Sequence, residues 1–440
     1  MDERNDTMAE LERHFRRCAV TPKLSARRMG VEAWFPYYAG YSSSFVREAL
    51  TGLGAKPGWC VLDPWNGSGT TTAIADAMGC DALGFDINPV AALVASARLA
   101  RAEDATHSFG LASELIAVAN RARATVSTDD PLLAWLSPRL SRRYRHIECA
   151  ILDLLGSRGG TRVEPVRTTP PPFASFFLLC LIRAAKRFTH VKENSNPTWI
   201  TPEKRGDAHA DTLDRAFLQM VKACAQDAED ASLGQTGSRS TSSVVMLADA
   251  RTLPLPNKSV DAIVTSPPYC TRVDYFRATL FEIAALGMAP DDKRYHELRS
   301  RAMGTNLMRG GSVAEIGNFP LPVRQLLQRI RRHPSKASDT YYYRSFVQYF
   351  DDAARSLDEI LRVLKTGGHG VLVVQSSYYK DIPIPLGELY EALAENAGLV
   401  SKIVHRNPVR RVLAMINSRA VRHEPQRHYT EDVVCLYRAA

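Results

Sequence analysis

The chain has 440 residues, with 56 Lys and Arg against 47 Asp and Glu, a formal net charge of +9 that suits a polyanionic partner. That length holds one large domain with a substantial insertion, or two domains. No apolar run approaches the ~18 residues that cross a membrane, and Met1–Glu10 carries acidic charge without the apolar stretch of a signal peptide. The eight cysteines form no Cys-x-x-Cys pair and the eleven histidines no ligand spacing, which argues against a zinc site or a disulfide framework and for a reduced cytoplasmic setting.

Residues 1–30 read as an N-terminal helical segment, and 31–100 as the first half of a core. In that half, Phe35–Phe45 leads into a helical run, Val46–Leu50, with Ser42 to Ser44 suited to an N-cap. Trp59–Leu62 is a short apolar strand. It runs into Asp63-Pro64-Trp65-Asn66-Gly67-Ser68-Gly69-Thr70-Thr71-Thr72 and then a small-residue helix, Ala73–Met78. A strand, a glycine turn and a helix make the first βα unit of a nucleotide-type site, in which the glycines let a ligand approach the backbone. A second strand, Ala82–Phe85, ends at Asp86, where an acid can bind ribose hydroxyls; the spacing from Asp63 fits the rule of about 20 residues. The Gly-x-Gly-x-x-Gly pattern and the P-loop lysine are both absent, so a ligand with a ribose and no phosphate fits, such as S-adenosylmethionine.

Residues 101–243 read as a largely helical insertion. It contains a Pro170–Pro172 break, an apolar helix over Phe173–Phe188, and a polar loop, Asn194–Trp199, best taken as a turn with a packed Trp. It ends in a flexible linker, Gly234–Ser243. The core resumes over 244–440. The apolar strand Ala262-Ile263-Val264 ends in Thr265-Ser266-Pro267-Pro268-Tyr269. Two prolines cannot donate to a sheet, so the strand must stop. What remains is a rigid elbow with a hydroxyl, free carbonyls and an aromatic face, a set suited to holding a flat ring that bears an amino group. The segment Arg277–Tyr343 is long, basic and broken by glycines, and could close over the site. Leu357–Leu364 reads as a helix, Lys365–Gly368 as a glycine stop, Gly370–Val374 as a strand and Glu431–Tyr437 as the last strand. Three basic clusters stand out: Lys402 to Arg427, Arg139 to Arg145, and Arg324 to Arg332. Each alone suits a solvated face; together they read as phosphate contacts.

The Asp63–Thr71 stretch, DPWNGSGTT, resembles the cofactor motif of the amino-group DNA methyltransferases, which modify cytosine N4 or adenine N6. Thr265–Tyr269 resembles their catalytic motif in its SPPY form, and here the cofactor motif comes first. The resemblance covers roughly residues 31–100 and 244–440. It implies a Rossmann-like α/β fold with a mainly parallel seven-stranded sheet, and S-adenosyl-L-methionine as cofactor. The cofactor would be bound by Asp63, Pro64, Asn66, Gly67, Ser68, Gly69, Thr70 and Asp86. Asp249, at the third strand, would receive the adenine amino group or simply be a turn residue, and Tyr38 belongs to the segment that packs against the methionine part. The partner implied is double-stranded DNA, with the target base flipped out. Ser266 and the Pro267 carbonyl would accept the amino hydrogens, beside Pro268, and Tyr269 would stack on the base. Arg272, Asp274 and Tyr275 would shape the pocket, with a structural salt bridge an equal reading for the first two, and Arg410 and Arg411 would touch DNA. Serine at the first motif position favours cytosine N4 over adenine N6. An RNA amino-methyltransferase and an inert DNA-binding relative are the other readings. Cys270 reads as packing. Target recognition falls to 101–243 or 277–343. A restriction partner and a monomeric or dimeric state both stay open, in a prokaryotic, DNA-associated setting.

Overall fold

The computed structural model describes residues 3–17, 21–22, 30–36, 40–121, 127–158, 161–162, 164–189, 200, 202, 209–232, 241–270, 274–309, 315–409 and 427–439. Seven strands form one sheet: β1 Cys60–Asp63, β2 Asp81–Asp86, β3 Val244–Leu247, β4 Val260–Thr265, β5 Leu364–Gln375, β6 Val400–Val409 and β7 Tyr429–Tyr437. Their spatial order is β6-β7-β5-β4-β1-β2-β3. All pairs are parallel except those of β7, which runs antiparallel to both β5 and β6. This is the α/β, mainly parallel seven-stranded architecture expected from the sequence.

The apolar strands sort their side chains by alternation, since successive residues point to opposite faces. Val61, Ala262, Val264, Val371, Val373, Val433 and Cys435 lie on one face, against Met8, Leu11 and Phe15 of α1 (Glu3–Arg17) and Phe45 and Val46 of α2 (Ser43–Gly52). Leu62, Ile263, Leu372, Val374, Val434 and Leu436 lie on the other, against helices α12 (Leu321–Arg332), α13 (Tyr343–Val363) and α14 (Leu386–Ala397). Both faces are covered, which is why the central strands read as unbroken apolar runs.

Between β2 and β3 the chain forms α4 (Pro89–Ala97), α5 (Ala102–Arg121), α6 (Pro138–Leu155), α7 (Pro172–Lys186) and α8 (Ala210–Ser232). With α10 (Leu280–Ala285) and α11 (Lys293–Arg301) they enclose a separate core around Trp34, Trp135, Tyr144, Phe177, Phe217 and Phe281. Of the tract read as a linker, Gly234–Ser240 lies outside the described residues. Its end, Thr241–Ser243, is fastened: Thr241 and Ser243 hydroxyls donate to Asp76, and the Ser242 amide to Asp81 at 2.7 Å. The segment 277–343 is mostly helical rather than a loop, because its apolar residues recur at helical spacing, as Val323, Leu326, Leu327 and Ile330 do.

Two further details differ from the sequence reading. Lys365–Gly368 does not separate helix from strand; it lies inside β5 as a bulge. The pairing steps from Val260↔Leu364 to Ala262↔His369, and Gly367 takes φ +78° where the extra residues loop out. Strand β6 has no counterpart in the sequence reading. It is a polar edge strand carrying Lys402, His405, Arg406 and Pro408, the composition that keeps sheet edges from pairing further.

Candidate active site

The C-terminal ends of β1, β2, β3 and β4 open onto one cleft of about 940 Å³, its solvent-open mouth included. This is where open α/β sheets place their ligands. Asp63 closes β1 and is 2% exposed. Its carboxylate accepts from the Thr265 hydroxyl at 2.5 Å, the Trp65 amide at 3.1 Å and the Tyr41 hydroxyl at 3.1 Å. Burial pushes its pKa up to about 6, although these hydrogen bonds favour the charged form. Tyr41 also bonds Thr71, and the Thr71 hydroxyl donates to the Val264 carbonyl at 3.0 Å. Asp63 therefore ties the glycine turn to the last residue of β4.

The turn that follows is held from several sides. The Asn66 amide donates to the Phe85 carbonyl at 2.8 Å, and the Gly67 amide to the Asp86 carboxylate at 2.9 Å. Asp86 also accepts from the Asn88 amide at 2.8 Å. Each carboxylate oxygen keeps lone pairs for a further donor, and burial raises the Asp86 pKa to about 6. Arg98, the residue after α4, braces the turn, donating to the Ser68 carbonyl at 2.7 Å. Gly69 caps α3 (Thr70–Ala77) at φ +82°. A Cβ there would lie 2.7 Å from the Ala95 Cα, so Gly69 serves helix packing and does not line the cleft. The Asn66 Nδ2 is buried with no partner, a spare donor in the turn. A spare donor, a ribose-type acid and a bare glycine turn fit a nucleoside-bearing ligand of S-adenosylmethionine type.

The elbow after β4 forms the opposite wall. Ser266 Oγ donates to the Val373 carbonyl at 2.9 Å, with the Tyr269 hydroxyl at 3.3 Å. Its single proton is thus committed to the carbonyl, and its lone pairs are left for a donor. The Pro268 carbonyl accepts from the Tyr349 hydroxyl at 2.8 Å, whereas the Pro267 carbonyl accepts from none of the described residues. Tyr269 hydrogen-bonds Glu431; burial, and then the Glu431 charge, push its hydroxyl well above the usual range. Tyr275 lines the cleft across from Asp86, and burial followed by the Asp86 charge raises its hydroxyl too.

Asp249 departs from its expected role as an acceptor. It lines the cleft, but Arg251 binds it through Nη2 at 2.6 Å, Nε at 2.9 Å and the backbone amide at 3.0 Å, and Arg301 donates a further bond at 3.1 Å. Burial opposes its charge, yet Arg251 holds its carboxyl below the ordinary range. With four donors in place its lone pairs are occupied. Arg251 continues to Asp352 at 2.5 Å, which Arg309 also reaches at 2.6 Å. Asp352 is buried, and burial lifts its pKa to about 7.

The cleft therefore gathers Asp63, Pro64, Asn66, Gly67, Ser68, Thr70, Asp86, Asp249, Ser266, Pro267, Pro268, Tyr269 and Tyr275. Asp274 stands apart: it caps α9 (Tyr275–Ala278) and pairs with Arg299 at 2.6 Å, the structural alternative. Tyr38, Arg272, Arg410 and Arg411 lie outside the described residues. Sequence reasoning missed Tyr41, Thr71, Arg98 and Arg251. Tyr41 lay within the Phe35–Phe45 segment and Arg251 two residues after Asp249, but Asp63 and Thr71, which Tyr41 bonds, and Asp352, which Arg251 bonds, are distant in sequence.

The basic clusters divide. Arg143 is bound to Asp214 at 2.6 Å, and Arg145 to Asp130 and Glu148, each at 2.7 Å, as well as two helix-end carbonyls. These two are internal braces, not phosphate contacts, because α6 turns them toward α8 and α10. Lys402 and Arg406 pair with Glu12 and Glu388. Cys270 packs against the core, 7% exposed. Among the described residues no helix is long and apolar enough to cross a membrane.

No family model matches the chain. Among curated proteins it is similar to Type II methyltransferase M.BsoBI of Geobacillus stearothermophilus, 22% identical over 318 residues, which covers 67% of this chain and 59% of that protein. It is also similar to Type II methyltransferase M.AvaI, from Nostoc sp. strain PCC 7120 and from Anabaena variabilis. There it is 31% identical over 156 residues, or 33% of this chain and 32% of that protein. The chain thus spans at most 59% of the length of these relatives. A solved structure, the cyclase SpnF, aligns over 100% of this chain and 96% of its own at 9% identity and a TM-score of 0.31, too slight a likeness to argue from. The curated homologues of this chain are Type II methyltransferases.

Proposed function

We propose that the chain is an S-adenosylmethionine-dependent DNA methyltransferase of a restriction-modification type, acting on the exocyclic amino group of a flipped base. The observation that carries this reading is the meeting, in one cleft, of the Asp63–Thr70 turn and Asp86 with an elbow whose Ser266 presents lone pairs. Asp86 would hold the ribose and the Asn66–Gly67 turn the rest of the cofactor. S-adenosylmethionine supplies a methyl group activated by its sulfonium. Ser266 Oγ and the Pro267 carbonyl would accept the two amino hydrogens. This localises the nitrogen lone pair and aligns it for in-line attack. Tyr349 would not compete for that carbonyl, since its hydroxyl is on Pro268. Tyr269, tethered through its hydroxyl, would offer its ring to the base.

Serine at the head of the motif favours cytosine N4, with adenine N6 the second reading. Two measurements test the proposal. Binding of labelled S-adenosylmethionine should vanish in Asp86→Ala. Nucleoside mass spectrometry of DNA from expressing cells should reveal N4-methylcytosine; N6-methyladenine alone would move the assignment to adenine, and unmodified DNA would remove the activity.

A further inference from the structure

One basic surface forms no ion pairs among the described residues. On α12 the apolar positions Val323, Leu326, Leu327 and Ile330 face inward. The outward positions at its C-terminal end carry Arg329, Arg331 and Arg332, all exposed, followed by exposed Lys336. The helix itself contains no acid, and none of the three arginines makes an ion pair with a described residue. Asp381, hydrogen-bonded to His333 at 2.6 Å, feels the charge of Arg329 without forming an ion pair with it, and Arg331 lies over the Tyr343 ring at 5.3 Å. Three exposed guanidiniums within four residues concentrate positive charge at this end of the helix, which suits a polyanion.

This end of α12 is bolted to the catalytic elbow. His333 and Asp381 join it to the hairpin Ser377–Ile384, whose Tyr379 hydroxyl bonds Ser338 at 2.6 Å and Ser335 at 3.1 Å. The hairpin in turn hangs on the elbow: the Ser377 hydroxyl donates to the Cys270 carbonyl at 3.4 Å, and its parent strand β5 supplies the Val373 carbonyl that orients Ser266. At the hairpin tip Lys380 takes φ +55°, and Arg427 stacks over Tyr378 at 5.1 Å. Cations and a rigid aromatic ribbon thus adjoin the residues that would receive the base.

We propose that the C-terminal end of α12, with the 377–384 hairpin, grips the phosphate backbone of the DNA duplex beside the flipped base. The inference rests on the reading of the cleft as a DNA methyltransferase site. Arg329, Arg331 and Arg332 bind phosphates, fixing the register of the duplex on the elbow without reading its sequence.

The test is a salt titration of binding to a fluorescent duplex oligonucleotide, with bound S-adenosylmethionine as the check on folding. In R329Q/R331Q/R332Q the affinity should fall by about tenfold or more. The slope of log K against log salt should shrink by about 3, at roughly 0.9 for each phosphate that is no longer neutralised. The charge-keeping R329K/R331K/R332K variant should retain the wild-type slope. Unchanged affinity and slope in the glutamine variant would overturn the surface while leaving the methyltransferase reading intact, as would a lysine variant that behaves like the glutamine one. Failure of the wild-type chain to bind any duplex while still binding S-adenosylmethionine would overturn both.

Discussion

Thr265→Val isolates the strut between the two halves of the cleft. The substitution keeps the shape of the side chain and removes the hydroxyl that donates to Asp63 at 2.5 Å. Asp63 is 2% exposed and cannot recruit water in compensation. A hydrogen bond to a charged group contributes about 1.5–3 kcal/mol, and the Tyr41 and Trp65 donors remain, so a loss of about 2 kcal/mol is expected at pH 8. The pH dependence is the sharper signature. Burial has raised the Asp63 pKa from its ordinary 3.8 to about 6, so the folded state holds that proton more tightly than the unfolded chain. The stability from this shift is fully present below pH 3.8 and is lost as pH rises through about 6. Removing the Thr265 hydroxyl, a donor that favours the charged form, raises the folded pKa further. Each further unit is worth about 1.4 kcal/mol above the new value and nothing well below the old one. Urea denaturation of wild type and variant at pH 5 and pH 8 measures this directly: the difference between them should be larger at pH 8. A difference under about 0.5 kcal/mol at pH 8, or an equal one at both pH values, would refute the strut. Thr265→Ser, which loses a buried methyl group but keeps the hydroxyl, should show the wild-type pH dependence.

Three further outcomes follow from the same geometry. Gly84→Ala would place a Cβ 2.2 Å from Asn66 Nδ2 and 2.7 Å from Thr72 Cγ2; it should cost about 1–3 kcal/mol in denaturation and weaken S-adenosylmethionine binding in calorimetry. On the proposed reading, Ser266→Ala should lower single-turnover methyl transfer by about 100-fold while cofactor affinity stays unchanged, since the acceptor it removes would face the amino group and not the cofactor. Arg251→Met should destabilise the fold by about 3 kcal/mol or more, because Asp352, with its side chain 1% exposed, keeps Arg309 as its one counter-charge among the described residues. Urea unfolding at pH 8 checks this.

Features whose physics is local were legible in the order of the residues. Alternation and unbroken apolar runs marked β1, β4 and β7, and the prolines after Ser266 ended β4 where they had to. The glycines of the Asp63–Thr70 stretch marked a turn that only bare backbone could make. Since each of these lies at the end of a strand, a parallel sheet was enough to bring them to one cleft. Contacts between residues far apart along the chain emerged only from the folded arrangement. It showed that the Asp249 carboxylate is occupied by Arg251 and Arg301, that Asp63 grips Thr265 across 202 positions, and that Arg143 and Arg145 brace the helical core. A charged side chain reads the same in sequence whether it faces solvent or a buried acid. Only the packing of helices around the sheet separates the arginines that hold the protein together from the exposed ones at the end of α12.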